Sequence, residues 1–162
     1  EINIRALSEM GMPENLKSIL YYQCMDYVMQ RIETARQALS YAQESANAEE
    51  KSSAGDKYET GRAMAHLERE KALEQLNEAT KLKSALEKVL QTNTRERVSL
   101  GSIVFTDTRN FYLAISAGKL TFAGVEFVAL GPASPLGATL MGLQKGDRFT
   151  FNKQTLVITE IQ

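Results

Sequence analysis

The sequence predicts an α+β protein built in two consecutive parts: a long antiparallel helical hairpin, then a small antiparallel β domain carrying one short helix. Three observations lead there. Composition changes near Thr92, from Ala, Glu, Lys, Gln and Leu to Val, Ile, Phe, Thr and Gly, which is a change from helix-forming to strand-forming chemistry. In the first part apolar residues recur at helical spacing. In the second, short apolar runs alternate with turn residues. The expected boundaries are residues 1–93 for the hairpin, with its tip near 52–60, and 94–162 for the β domain.

The first helix is expected to begin just after Pro13, since proline is favoured at helix starts. Its apolar positions are Leu16, Ile19, Leu20, Val28, Ile32, Ala35, Leu39, Ala42 and Ala46. From Val28 onward the steps alternate four and three, the spacing of a coiled-coil seam. The pattern reaches Lys51 and is interrupted by Ser52, Ser53, Ala54 and Gly55. A second pattern follows, with Leu67, Leu73, Leu76, Ala79, Leu82, Leu86 and Val89 expected on one side, and it runs out at residues 91–93. Two long helices joined by a few residues run antiparallel and pack along their seams. The alanines in the seam permit close approach. A helix of ~38 residues spans ~57 Å, so the hairpin is expected to project from the body with its connection at the far end.

In the second part the expected strands are 101–106, 110–116, 120–129 (with a break at Gly124), 148–152 and 155–161. Between the third and fourth lies Ser134-Pro135-Leu136-Gly137-Ala138-Thr139-Leu140-Met141-Gly142. Serine at the cap followed by proline at the first helical position starts a helix, and Gly142 stops it. Lys145-Gly146-Asp147 then turns into the next strand.

Charge and special residues narrow the chemistry. The net charge is -1 and the pI about 6.0. Tight duplex-DNA binding usually needs a basic excess and is not expected. No apolar run approaches the ~18 residues of a membrane span, and the first residues lack a signal-peptide pattern. With Cys24 the sole cysteine, a disulfide framework is excluded and a reducing cytoplasm is the expected compartment. His66 is the sole histidine, so neither a zinc site nor a Cys-His nucleophile pair is expected. Cys24 reads as a small buried hydrophobe and His66 as a helix-surface residue. Tyr21, Tyr22, Met25, Tyr27 and Met29 read mainly as core, or as packing against the β domain, and a monomer is favoured over a dimer.

Two motifs, in this order and spacing, resemble those of a known family. The hairpin connection reads Gly55-Asp56-x-x-Glu59. The β domain carries Ser134-Pro135-x-Gly137-x-x-Leu140-x-Gly142-x-x-x-Gly146-Asp147. Together with the hairpin they are similar to the Gre transcript-cleavage factors of bacterial transcription, over about residues 14–161. The resemblance implies an FK506-binding-protein-like fold for the β domain. It implies docking on RNA polymerase through Ser134, Pro135, Leu136, Gly137, Leu140, Gly146 and Asp147, with the hairpin entering the secondary channel towards the nascent RNA 3′ end. It also implies that Asp56 and Glu59 act at the catalytic centre by lending ligands to a magnesium ion shared with the polymerase. On that reading the chain is not itself an enzyme, because the polymerase performs the hydrolysis.

That role is chemically sound. Two-metal hydrolysis places one ion on the attacking water and one on the leaving oxygen, and magnesium binds through one or two carboxylates while keeping several waters. Residues three apart at a helix start point to one side. Asp56-Lys57-Tyr58-Glu59 also has the form of a capping box, with Asp56 as the cap and Glu59 reaching back to it; both readings stand. Thr60-Gly61-Arg62 follows the second acid where the family has Asn-Ala and another acid. That departure carries the alternative, a regulator that occupies the channel without promoting cleavage. Lys51, Lys57, Arg62, Arg69 and Lys71, among Glu49, Glu50, Glu68 and Glu70, read as a solvated helix face or as phosphate contacts. Prolyl isomerase activity does not follow from a fold, and the chain has no Trp.

Overall fold

The computed structural model describes residues 16–51, 57–89 and 96–162. Its architecture is α+β. Two long helices, α1 (Leu16–Lys51) and α2 (Lys57–Val89), precede six strands: β1 (Ile103–Thr106), β2 (Asn110–Leu113), β3 (Gly118–Phe122), β4 (Val125–Leu130), β5 (Arg148–Phe151) and β6 (Gln154–Ile161). A short helix, α3 (Pro135–Leu140), lies between β4 and β5. The expected helix start after Pro13, the cap at Asp56 and the end at residues 91–93 fall outside the described residues. Two compact units result: Tyr27–Lys83, and a second that joins the helix ends, up to Asp26 and from Ser84, to the sheet.

In the unit of Tyr27–Lys83, the α1 seam follows the expected four-three steps. Val28, Ile32, Ala35, Ala42 and Ala46 are buried and Leu39 is half-buried. On α2 the seam agrees with expectation at Ala79, Leu86 and Val89, which are buried, and differs from it before them. Ala65, Ala72 and Ala79 are buried, whereas Leu67 is 65% and Leu73 37% exposed; Leu76 and Leu82 are half-buried. At ~100° per residue, a step of seven nearly restores the same face. Leu67, two residues past Ala65, therefore points away from the seam, and Leu73 sits at its flank. The helices lie side by side, since Arg36, Leu39, Ser40, Gln43 and Glu44 share a shallow cleft with Arg69 and Leu73. A connection as short as residues 52–56 makes them antiparallel.

In the other unit the strand order is β3-β4-β2-β1-β6-β5. All neighbours are antiparallel except β2 and β4, which are parallel, so the expected wholly antiparallel sheet is corrected to a mixed one. The reason is topological: the chain leaves β2, passes to the sheet edge as β3, and returns as β4 beside β2. The break expected at Gly124 is a hairpin turn in which Ala123 and Gly124 both have positive φ, at 50° and 78°. Asn152 and Lys153, at 49° and 63°, make the same kind of turn between β5 and β6. Paired positive φ values suit the right-handed twist of the flanking strands.

The central strands are buried on both faces, β1 throughout its length. On one face Val104, Phe111, Leu113, Leu130, Phe149, Leu156 and Ile158 form a core with Leu140 of α3. On the other, Ile103, Phe105, Tyr112 and Phe127 are buried. There the helix ends cover the sheet: burial, then the nearby Cys24 and Tyr21, push the Tyr112 phenol pKa upward. The Gln23 side chain donates to the Thr121 carbonyl at 3.0 Å, so the edge strand β3 is partly capped. Leu20, Cys24 and Leu86 are fully buried. In the aromatic and methionine patch Tyr21 is buried, but Tyr22 is 65% and Met29 42% exposed. That patch is therefore only partly core.

Candidate functional site

The segment from Ser134 to Asp147 is assembled by local polar contacts. The Ser134 hydroxyl donates to the Gly131 carbonyl at 2.7 Å and accepts from the Gly137 N–H at 3.1 Å. It satisfies an otherwise unpaired donor in the first turn of α3. Pro135 occupies the first turn, where a missing N–H costs nothing. Gly137 is required by close approach, because a Cβ there would run into the Gly131 carbonyl oxygen. Leu136 packs on the core and Leu140 is inside it.

Beyond α3 the chain turns at Gly142, whose φ of 83° favours glycine. Its N–H donates to the Val98 carbonyl at 2.8 Å, and the Val98 N–H donates to the Leu143 carbonyl at 2.8 Å. The Asp147 carboxylate accepts from the Gln144 N–H at 2.7 Å. Gly146, at φ 91°, donates to the Ile158 carbonyl at 2.8 Å, and the Ile158 N–H donates back to Asp147 at 2.9 Å. The turn is thereby tied to β6.

The structure thus brings the expected docking residues Ser134, Pro135, Leu136, Gly137, Leu140, Gly146 and Asp147 into one continuous surface element. Each has a structural task of its own. Gly137 and Leu140 are buried and can serve docking only through the shape they hold. Pro135, Ala138, Thr139, Met141 and Lys145 are exposed, and theirs are the side chains a partner would touch. Among them Met141 is the large apolar one, 38% exposed.

At the helical end, Glu59 lies in the first turn of α2, and Asp56 falls outside the described residues. Arg62 is exposed, as are Glu68, Arg69, Glu70 and Lys71, in keeping with a solvated face. His66 is exposed and Cys24 buried, as expected. Among the described residues no three His, Cys, Asp or Glu side chains gather as a metal site, and no helix is long and apolar enough to cross a membrane.

Sequence reasoning missed Arg97. Its guanidinium reaches the Gly142 carbonyl at 3.1 Å, across a separation of 45 residues. No local pattern marks such a contact. Compared with known proteins, the chain matches no family model, no curated protein and no solved structure.

Proposed function

We propose that this chain is a bacterial RNA polymerase regulator of the Gre transcript-cleavage type. It docks through the exposed side of the Ser134 to Asp147 element and places its helical hairpin in the secondary channel, where it stimulates cleavage of backtracked RNA. The observation that carries this reading is the order of parts. A pair of helices 36 and 33 residues long is joined at the acidic Gly55-Asp56-x-x-Glu59 connection and followed by a sheet domain bearing a capped Ser-Pro helix. The mixed sheet, with its short helix packed on one face, supports an FK506-binding-protein-like fold for that domain.

In this reading the chain is not an enzyme in its own right. Asp56 and Glu59 supply two carboxylates to a magnesium ion whose remaining ligands, and whose hydrolytic chemistry, belong to the polymerase. The partners are the polymerase and the nascent RNA 3′ end, and the compartment is the bacterial cytoplasm. A second reading rests on Thr60-Gly61-Arg62. An exposed arginine one turn beyond the acids alters the field around a cation site, which suits a regulator that fills the channel without cleavage.

Purified polymerase separates the two. On stalled, backtracked complexes the wild type should release short RNA, while Asp56→Asn and Glu59→Gln should bind yet lose cleavage, with partial rescue by excess magnesium. Asn is itself a good cap, so a pure capping role predicts no loss. Binding without any cleavage by the wild type selects the second reading. Absence of polymerase binding rejects both.

A further inference from the structure

The turn that follows α3 has a second support, from a distant part of the chain. Arg97 and Gln144 face each other across an isolated antiparallel bridge. The Arg97 guanidinium donates to the Gly142 carbonyl at 3.1 Å. With its amide oxygen turned towards the guanidinium, Gln144 accepts from Nη1 at 3.1 Å and from Nη2 at 2.6 Å. One planar group therefore holds a main-chain carbonyl and a side-chain amide two residues apart. The backbone enters this turn through Gly142 at positive φ, a conformation that glycine adopts without strain. Two backbone bonds with Val98 hold the same turn.

Of the large apolar residues in this element, the exposed one, Met141, sits directly before Gly142, and the exposed Lys145 directly after Gln144. Met141 and Lys145, two of the exposed side chains of the element, thus flank the clamped turn. We infer that Arg97 is a positioning residue for the docking surface: it clamps the Gly142 to Gln144 turn and so fixes where Met141 and Lys145 are presented. The docking purpose rests on the proposed function, whereas the clamp belongs to this chain alone. Arginine suits the task because its fork donates in two directions from one plane, which a lysine ammonium does not reproduce.

The test uses the full chain and two measurements. In the first, amide hydrogen exchange is followed at Gly142 and Val98, with Ile103 and Ile158 as internal references. Arg97→Gln should speed exchange at Gly142 and Val98 by about tenfold while the references stay unchanged. Arg97→Lys should restore only part of the protection. Gln144→Glu, which makes the contact charge-assisted, should slow exchange at the same two amides. In the second, affinity for purified bacterial RNA polymerase core should fall about tenfold in Arg97→Gln, with melting midpoints of all variants within about 2 °C.

Unchanged exchange at Gly142 and Val98 would overturn the clamp. Uniform acceleration with a lowered melting midpoint would overturn it too, because Arg97 would then be holding the whole fold. If the wild type binds polymerase and Arg97→Gln binds equally well, the positioning role falls while the docking reading survives. If the wild type does not bind, the docking reading fails and takes the purpose of the clamp with it, and the exchange data still decide whether the clamp exists.

Discussion

The hairpin unit and the sheet unit exclude water with different side chains. Between Tyr27 and Lys83 the buried apolar positions among the described residues are Val28, Ile32 and six alanines: Ala35, Ala42, Ala46, Ala65, Ala72 and Ala79. In the sheet unit the fully buried set includes Phe105, Phe111, Tyr112 and Phe127. Hydrophobic stabilisation scales with apolar area removed from water, so each seam alanine contributes little and each buried ring a great deal. The alanine seam achieves close approach of two backbones rather than a deep core. The hairpin also leaves Tyr41, Met64 and Leu67 well exposed, at 68%, 59% and 65%. The sheet unit should therefore set the stability of the molecule, while the hairpin should be sensitive to added volume more than to lost volume.

The strongest way to break that contrast is to remove a ring. Phe111 packs edge-on against Phe149 and Phe151 and is fully buried. Phe111→Ala should cost about 3–5 kcal/mol, read as a fall in the denaturant midpoint at unchanged slope. A loss under about 1 kcal/mol would mean that the sheet core is not where the stability resides.

Alkali attacks the same unit from the helix side. Burial pushes the Cys24 thiol up to about 12 from its ordinary 9.0. The unfolded chain therefore ionises this thiol first. The stabilising contribution is complete below about pH 9 and is lost as pH rises towards 12, by at most a few kcal/mol. Cys24→Ala should flatten the pH dependence of stability over that window. An equally steep decline in the variant would place its origin elsewhere, with Tyr112 the next group to examine, since burial raises its phenol too.

In the hairpin the expected effects are smaller and of the opposite kind. Ala72 is 2% exposed, and Ala72→Leu should destabilise by about 1–3 kcal/mol through overpacking, with a loss of helical circular dichroism at moderate temperature. Close in size is the cap of α3, where Ser134→Ala should cost about 1 kcal/mol and Ser134→Asp markedly less. Smallest of all is Leu67→Ala, expected within about 0.5 kcal/mol although it deletes the larger side chain. A large loss at Leu67 together with tolerance at Ala72 would reverse the assignment of the α2 seam.

That assignment marks where the sequence stopped being legible. On α1 the four-three steps from Val28 to Ala46 identified the buried face directly, because large and small apolar residues agree on it. On α2 Leu67 and Leu73 point away from the face that Ala65, Ala72, Ala79 and Leu86 share. Hydrophobicity favours Leu67 and Leu73, but closeness of the partner helix selects Ala65 and Ala72, on the face of the expected Ala79. The candidate docking element was readable for a local reason: Ser134 caps the helix that starts at the next residue, accepting from the Gly137 N–H, and Gly142 and Gly146 mark positive φ. The acidic connection was readable only as chemistry, since Asp56 and Glu59 fit both a helix cap and a pair of metal ligands.

By itself, then, the sequence determined the features whose causes lie within a few residues. These are the two long helices and their interruption near Gly55, the strand segments, the turn at Gly124, and the Ser134-Pro135 helix start. Propensity, capping and periodicity act at that range. The tertiary structure alone decided the parallel pairing of β2 with β4, the burial of Ala65 and Ala72 in place of Leu67 and Leu73, the seating of Cys24 and Tyr21 near Tyr112, and the reach of Arg97 to Gly142 and Gln144. Each of these depends on which distant segment arrives alongside, and that is settled by the joint packing of the chain rather than by any local stretch of it.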